Sequence, residues 1–185
     1  MNYECITDLV YKFRRTIESA KSNGDLDNFK FYRNFPRACC GETSSLLAKY
    51  LYQHGFETIY VCGDYNRQSH AWLVLKDETI NEIPIDKTFY SDEIVDFLKE
   101  YGSNVQDENI VDYNFEISDI EKGLIIDITA DQFIEMSGFP VYIGYANEFY
   151  KKYNIQLCIN RPWGKVNDNL YRLINSYIKI EDENL

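Results

Sequence analysis

Apolar side chains recur at helical spacing from the start of the chain. In residues 4–19, ECITDLVYKFRRTIES, Ile6, Leu9, Val10 and Phe13 fall on one stripe and predict an amphipathic helix. Residues 22–37 carry Gly24 and Pro36 and mix rings with charges, so they read as an irregular segment forming one wall of whatever follows. From Gly41 to His54, Leu47, Tyr50 and Leu51 share a second stripe, and Gly55 stands where a helix C-terminal glycine belongs. This is the expected central helix. ETIYVCGDY and HAWLVLKD then form two β-rich runs around a short polar segment, which is a hairpin pattern.

LIIDITADQF, residues 124–133, reads as a third strand ending in turn residues, PVYIG as a further short strand, and DNLYRLINSYIKI as a closing helix or strand before an acidic tail. Between the second and third strands, at about residues 77–122, lies a long acidic stretch that reads as an insertion. It contains a short helix, SDEIVDFLKEYG, opened by Ser91 as N-cap. The whole predicts an α+β fold in which the central helix packs on an antiparallel sheet.

A chain of 185 residues suits one domain with a substantial core, so residues 1–185 are expected to form a single unit carrying that insertion. The net charge of −11, from 30 acidic residues against 19 Lys and Arg, sets up a field that repels phosphate backbones and anionic surfaces. Nucleic acid and membranes are therefore not expected partners. The opening MNYECITDLV has no basic region followed by a long apolar run, no stretch approaches the roughly 20 apolar residues of a membrane span, and five cysteines are too few and irregular for a secreted disulfide scaffold. A cytoplasmic location is the expectation. Cys5, Cys62, Cys158 and His54 have no metal-ligand spacing, and no phosphate-loop, dinucleotide or calcium-loop pattern occurs, so neither metal nor cofactor is expected.

Cys40 opens the central helix, where unpaired backbone N–H groups and the positive end of the dipole stabilise a thiolate. Its own N–H is a natural oxyanion donor, and Gly41 permits close approach to the helix start. His70 begins a strand in which His70, Trp72 and Val74 share one face and Ala71, Leu73 and Leu75 the other. Trp72 therefore lines the same side as the histidine. Asp127 lies among Ile125 and Thr129 on one face of the third strand, with Leu124, Ile126 and Ile128 on the reverse. A carboxylate there is expensive unless paired. If the strands are neighbours, Asp127 orients His70, and His70 activates Cys40 as nucleophile.

CGETSSLLAKYLYQHGF, SHAWLVL and LIIDIT, in that order, resemble the transglutaminase-like branch of the papain-like cysteine enzymes over about residues 34–144. The resemblance implies that the nucleophile is Cys40, with Cys39 as its packing neighbour. Asn34, six residues upstream, stands where papain-like enzymes carry an oxyanion amide, although it also fits a turn before Phe35 and Pro36. The insertion departs from the family pattern. It brings Asp86, in PIDKT, to the usual distance after the histidine strand as a rival third member, while the β-rich setting favours Asp127. The expected activity is hydrolysis of a peptide or side-chain amide in a protein or peptide substrate, through a thioacyl intermediate. Transamidation, or an idle papain-like binding module, are the alternatives.

Overall fold

The computed structural model describes residues 3–76, 88–90, 122–160 and 166–183. Helix α1, Tyr3–Ser22, buries Ile6, Val10, Phe13, Ile17 and Ala20 along one stripe, and it outruns the expected helix by a residue at the start and three at the end. Helix α2, Cys40–Gln53, ends as anticipated at Gly55, which adopts the left-handed region at φ 85°. There the Phe56 N–H turns back to the Leu51 carbonyl at 3.0 Å. The closing segment is a helix, α3, Asp168–Glu183, burying Leu170, Tyr171, Ile174 and Ile178.

The strands are β1 Thr58–Tyr65, β2 Gln68–Leu75, β3 Thr88–Tyr90, β4 Leu124–Asp127, β5 Tyr142–Gly144 and β6 Asn154–Asn160. They form an antiparallel sheet in the order β3-β6-β1-β2-β4-β5. The expected hairpin is β1–β2, its turn made by Asn66 and Arg67, both at positive φ. The chain is thus α+β, with helices on an antiparallel sheet.

Three expectations need correction. The third strand ends in a turn as expected, but it stops at Asp127, short of Thr129, because the backbone passes into a 3₁₀ turn at Ala130–Gln132. The short strand near residue 140 begins at Tyr142. Strand β6, which joins β1 to β3, was not anticipated at all. Of the stretch read as an insertion, Thr88–Tyr90 pairs with β6 as an edge strand, so the sheet draws part of its width from there. The expected helix at residues 91–102 lies outside the described residues.

Two apolar clusters sandwich the sheet. On one face Leu73, Leu75, Ile126 and Ile128 pack against α1, α2 and α3. On the other, Val61, Trp72, Val74 and Ile125 pack against Met136, Phe149, Tyr150 and Tyr153 from the irregular segments between β4 and β6. Strand alternation puts His70 and Asp127 on the second face, opposite the helices. β2 pairs with β4 only over Leu73–Leu75, and β4 ends at Asp127. The sheet therefore opens beside His70, and there the start of α2 meets it.

Candidate active site

Cys39 is the N-cap of α2, its carbonyl accepting the Thr43 N–H at 2.9 Å. The N–H groups of Cys40, Gly41 and Glu42 are left at the free end of the helix, as in any first turn. Ser44 Oγ donates to the Ala71 carbonyl at 3.2 Å and ties this turn to β2, which sets the Cys40 thiol in the electrostatic reach of His70 and of the Ala71 backbone. A Cβ on Gly41 would meet Tyr60 Oη at 3.1 Å, so the glycine lets the helix start settle onto β1. The close approach it permits is to the protein's own tyrosine.

His70 is fully buried and Asp127 is 1% exposed. His70 Nε2 lies 2.6 Å from Asp127 Oδ2, which also accepts the Tyr150 hydroxyl at 3.0 Å. Asp127 Oδ1 accepts the Thr129 N–H at 2.8 Å and the Thr129 hydroxyl at 3.0 Å. Four donors therefore surround one carboxylate, which is the compensation a buried charge requires. With Nε2 committed to Asp127, Nδ1 is the nitrogen left for Cys40. Trp72, Phe133, Phe149 and Tyr153 enclose the imidazole with ring centroids 4.8–6.1 Å away. Gly63, opposite His70 in β1, leaves room for this box, since a Cβ there would come within 3.0 Å of Tyr153 and 3.3 Å of Trp72.

This setting shifts the titrating groups in opposite directions. Burial pushes the Cys40 thiol up, but the His70 hydrogen bond and charge outweigh it and hold the thiol below its ordinary range. Burial pulls His70 down, but the Asp127 charge and hydrogen bond, then Cys40, raise it to about 9. Burial also opposes the charge on Asp127, and His70 and Thr129 outweigh it and keep the carboxyl below its usual value. Cys39 is pushed by burial to about 12, Cys62 to about 11 and Cys158 to about 12. The arrangement favours a Cys40 thiolate beside a His70 imidazolium, a pair that titrates as a unit.

Iodoacetamide is therefore expected to label Cys40 ahead of Cys39, Cys62 and Cys158, followed by peptide mapping across a pH series. The Cys40 rate should level off below the ordinary thiol range, while the other three still climb about tenfold per pH unit because their thiolate fractions are still rising. His70→Ala should move the Cys40 plateau to higher pH. Faster labelling of Cys39 would put the register wrong by one residue.

The structure thus gathers Cys40, His70 and Asp127 at one point, with Trp72 packed beside the imidazole as a buried wall. Asn34 is exposed on the 3₁₀ turn Tyr32–Asn34, where its carbonyl accepts the Arg37 N–H at 2.8 Å. No contact of its amide with Cys40 or His70 is seen among the described residues, and its backbone bond is that of a turn. Asp86 lies outside the described residues. Sequence reasoning missed Gln132, whose Nε2 is 3.4 Å from His70 Nδ1, and Tyr150 behind Asp127. Gln132 follows Asp127 by one turn of chain and carried a faint signal; Tyr150 is one of 16 tyrosines and carried none.

Beside the helix start runs a groove of about 710 Å³, lined in part by Phe29, Phe31, Tyr60 and the two sequence neighbours of Cys40, Cys39 and Gly41, but not by Cys40 itself. Among the described residues no three His, Cys, Asp or Glu side chains are placed to hold a metal ion, and no helix is long and apolar enough to cross a membrane. No protein-family model matches the chain, and comparison with curated proteins and with solved structures finds no match.

Proposed function

We propose that this protein is a cysteine-dependent acyl-transfer enzyme of papain-like, transglutaminase-like type that hydrolyses a peptide or side-chain amide bond. The observation that supports this most is the buried His70–Asp127 bond beside a half-buried thiol at a helix start, with both sides of the carboxylate satisfied and the thiol lowered by His70. The order of central helix, hairpin and Asp-bearing strand supports the same reading. Perturbed groups also occur in structural ion pairs, but a thiol lowered by an oriented imidazole serves nucleophilic chemistry best.

The Cys40 thiolate attacks the amide carbon, a C–S bond forms, and the carbonyl π pair moves onto oxygen. Collapse of this adduct breaks the C–N bond, and the leaving nitrogen takes the proton from His70 Nδ1. A thioester remains. Neutral His70 then removes a proton from water, hydroxide adds to the thioester, and the thiolate leaves with the proton back on His70. Asp127 stays ionised throughout and stabilises the imidazolium.

Incubating the protein with a mixed peptide library, with and without a primary amine, and reading products by mass spectrometry tests the proposal. Cleaved or deamidated peptides are expected from the wild type and none from Cys40→Ala. Amine adducts in place of hydrolysis products would make it a transamidase. Identical product sets for the two proteins would end the enzymatic reading.

A further inference from the structure

We propose that Gln132 is a catalytic residue whose side-chain amide, together with the Cys40 N–H, binds the substrate oxygen that becomes negative when Cys40 attacks. This rests on Cys40 being the nucleophile, and the measurements below separate the two ideas.

Gln132 ends the 3₁₀ turn Ala130–Gln132, so the segment that delivers Asp127 to one side of the His70 ring delivers an amide to the other. Its Nε2 is 3.4 Å from His70 Nδ1, the nitrogen that the Asp127 bond leaves for Cys40. Two contacts decide which way the amide points. Nε2 donates to the Thr129 carbonyl at 2.9 Å, and Oε1 accepts the Ala38 N–H at 3.4 Å. A flipped amide would set oxygen against the Thr129 carbonyl and NH₂ against the Ala38 N–H, both repulsive. The donor end therefore faces the site. Ala38, two residues before Cys40, stands at φ 60°, a left-handed conformation that rarely suits a residue with a side chain. Its bond to Gln132 joins the chain entering α2 to the turn leaving β4.

Hydrogen counting gives the amide its task. One Nε2 hydrogen goes to Thr129. The second can reach Nδ1 only while that nitrogen keeps a lone pair. When Cys40 is a thiolate and His70 an imidazolium, Nδ1 bears hydrogen and cannot accept. The second Gln132 hydrogen is then released on the Nδ1 side of the ring, at the stage when a carbonyl oxygen begins to gain charge. Oxyanion donors act by being held in place before the reaction. Asp131, the preceding residue, is held through two bonds to Arg14, at 3.0 and 2.8 Å, which fixes the turn.

The test uses two electrophiles on one sulfur. p-Nitrophenyl acetate passes through a tetrahedral oxyanion, whereas iodoacetamide is displaced at a saturated carbon and develops none there. In Gln132→Ala, and in Gln132→Met, which keeps the length but has no donor, the Cys40-dependent nitrophenolate burst should slow by about 10²- to 10³-fold. Alkylation of Cys40 should stay within about threefold of wild type. Urea midpoints identify any variant that is poorly folded, and whichever of the two folds supplies the comparison. A parallel fall in both rates would make Gln132 a residue that merely positions the cysteine and histidine, and would overturn the proposal, as would an unchanged burst. A wild-type protein with neither burst nor fast Cys40 alkylation would sink the nucleophile reading and take this one with it.

Discussion

Replacing Asp127 by Asn is expected to lower the acylation rate of Cys40 by about 10³- to 10⁴-fold while leaving a folded protein. The reason lies in the four donors around the carboxylate. An Asn must turn its NH₂ toward one pair of them. Facing Thr129, it would meet a backbone N–H that cannot change role. Facing His70, it meets a Tyr150 hydroxyl that can rotate and an imidazole that can change tautomer, so the amide takes that orientation. Nε2 then accepts, the ring hydrogen moves to Nδ1, and the atom facing Cys40 can no longer take a proton. The imidazolium also loses its compensating charge. Some stability is lost as well, about 1–3 kcal/mol for a buried group with altered partners, so circular dichroism and urea midpoints accompany the rates. Asp86→Asn should be nearly silent. A normal rate for the Asp127 variant beside a collapsed rate for the Asp86 variant would transfer the orienting role to Asp86.

Arg14→Ala is expected to destabilise the fold by about 3–5 kcal/mol, read from urea or thermal unfolding. Arg14 is 5% exposed in the middle of α1, which from the sequence alone looks like an ordinary charged position on a helix. Its guanidinium donates to the Ile128 carbonyl at 2.5 Å, to the Pro140 carbonyl at 3.2 Å and to both oxygens of Asp131, and it lies 4.5 Å from the centre of the Phe35 ring. The bond to Glu18 contributes little, because that carboxylate is half exposed and water screens it. Removing the cation leaves two carbonyls and the Asp131 carboxylate without their donors, and each such group loses water as well as its partner. Arg14→Lys should recover only part of the loss, since one ammonium cannot reproduce the two-pronged bond to Asp131. The acylation rate should fall too, because the turn carrying Gln132 hangs from this contact. A loss under about 1 kcal/mol would mean that the turn is held by its own packing.

Periodicity alone determined the first two helical stripes, the β1–β2 hairpin and the glycine stop after α2, because each depends on residues within a few positions of one another, while it left the closing segment open between helix and strand. It also marked Cys40, His70 and Asp127, since a thiol at a helix start, a histidine opening a strand and a carboxylate in an apolar run are each out of place unless something answers them. β6 was open to the same reasoning: Ile155, Leu157 and Ile159 alternate with Asn154, Gln156 and Asn160, but the amides make the run look like loop until both neighbouring strands are known.

Tertiary structure alone decided the rest. The ring nitrogen given to Asp127, the commitment of Tyr150 to the carboxylate, the burial of Arg14 and the approach of Gln132 to His70 are contacts between segments 23 to 126 residues apart. No local pattern records such distances. Whether a polar side chain is solvated or held depends on which partners the fold brings to it: of the two amides Asn34 and Gln132, the fold left the first exposed and turned the second toward the histidine.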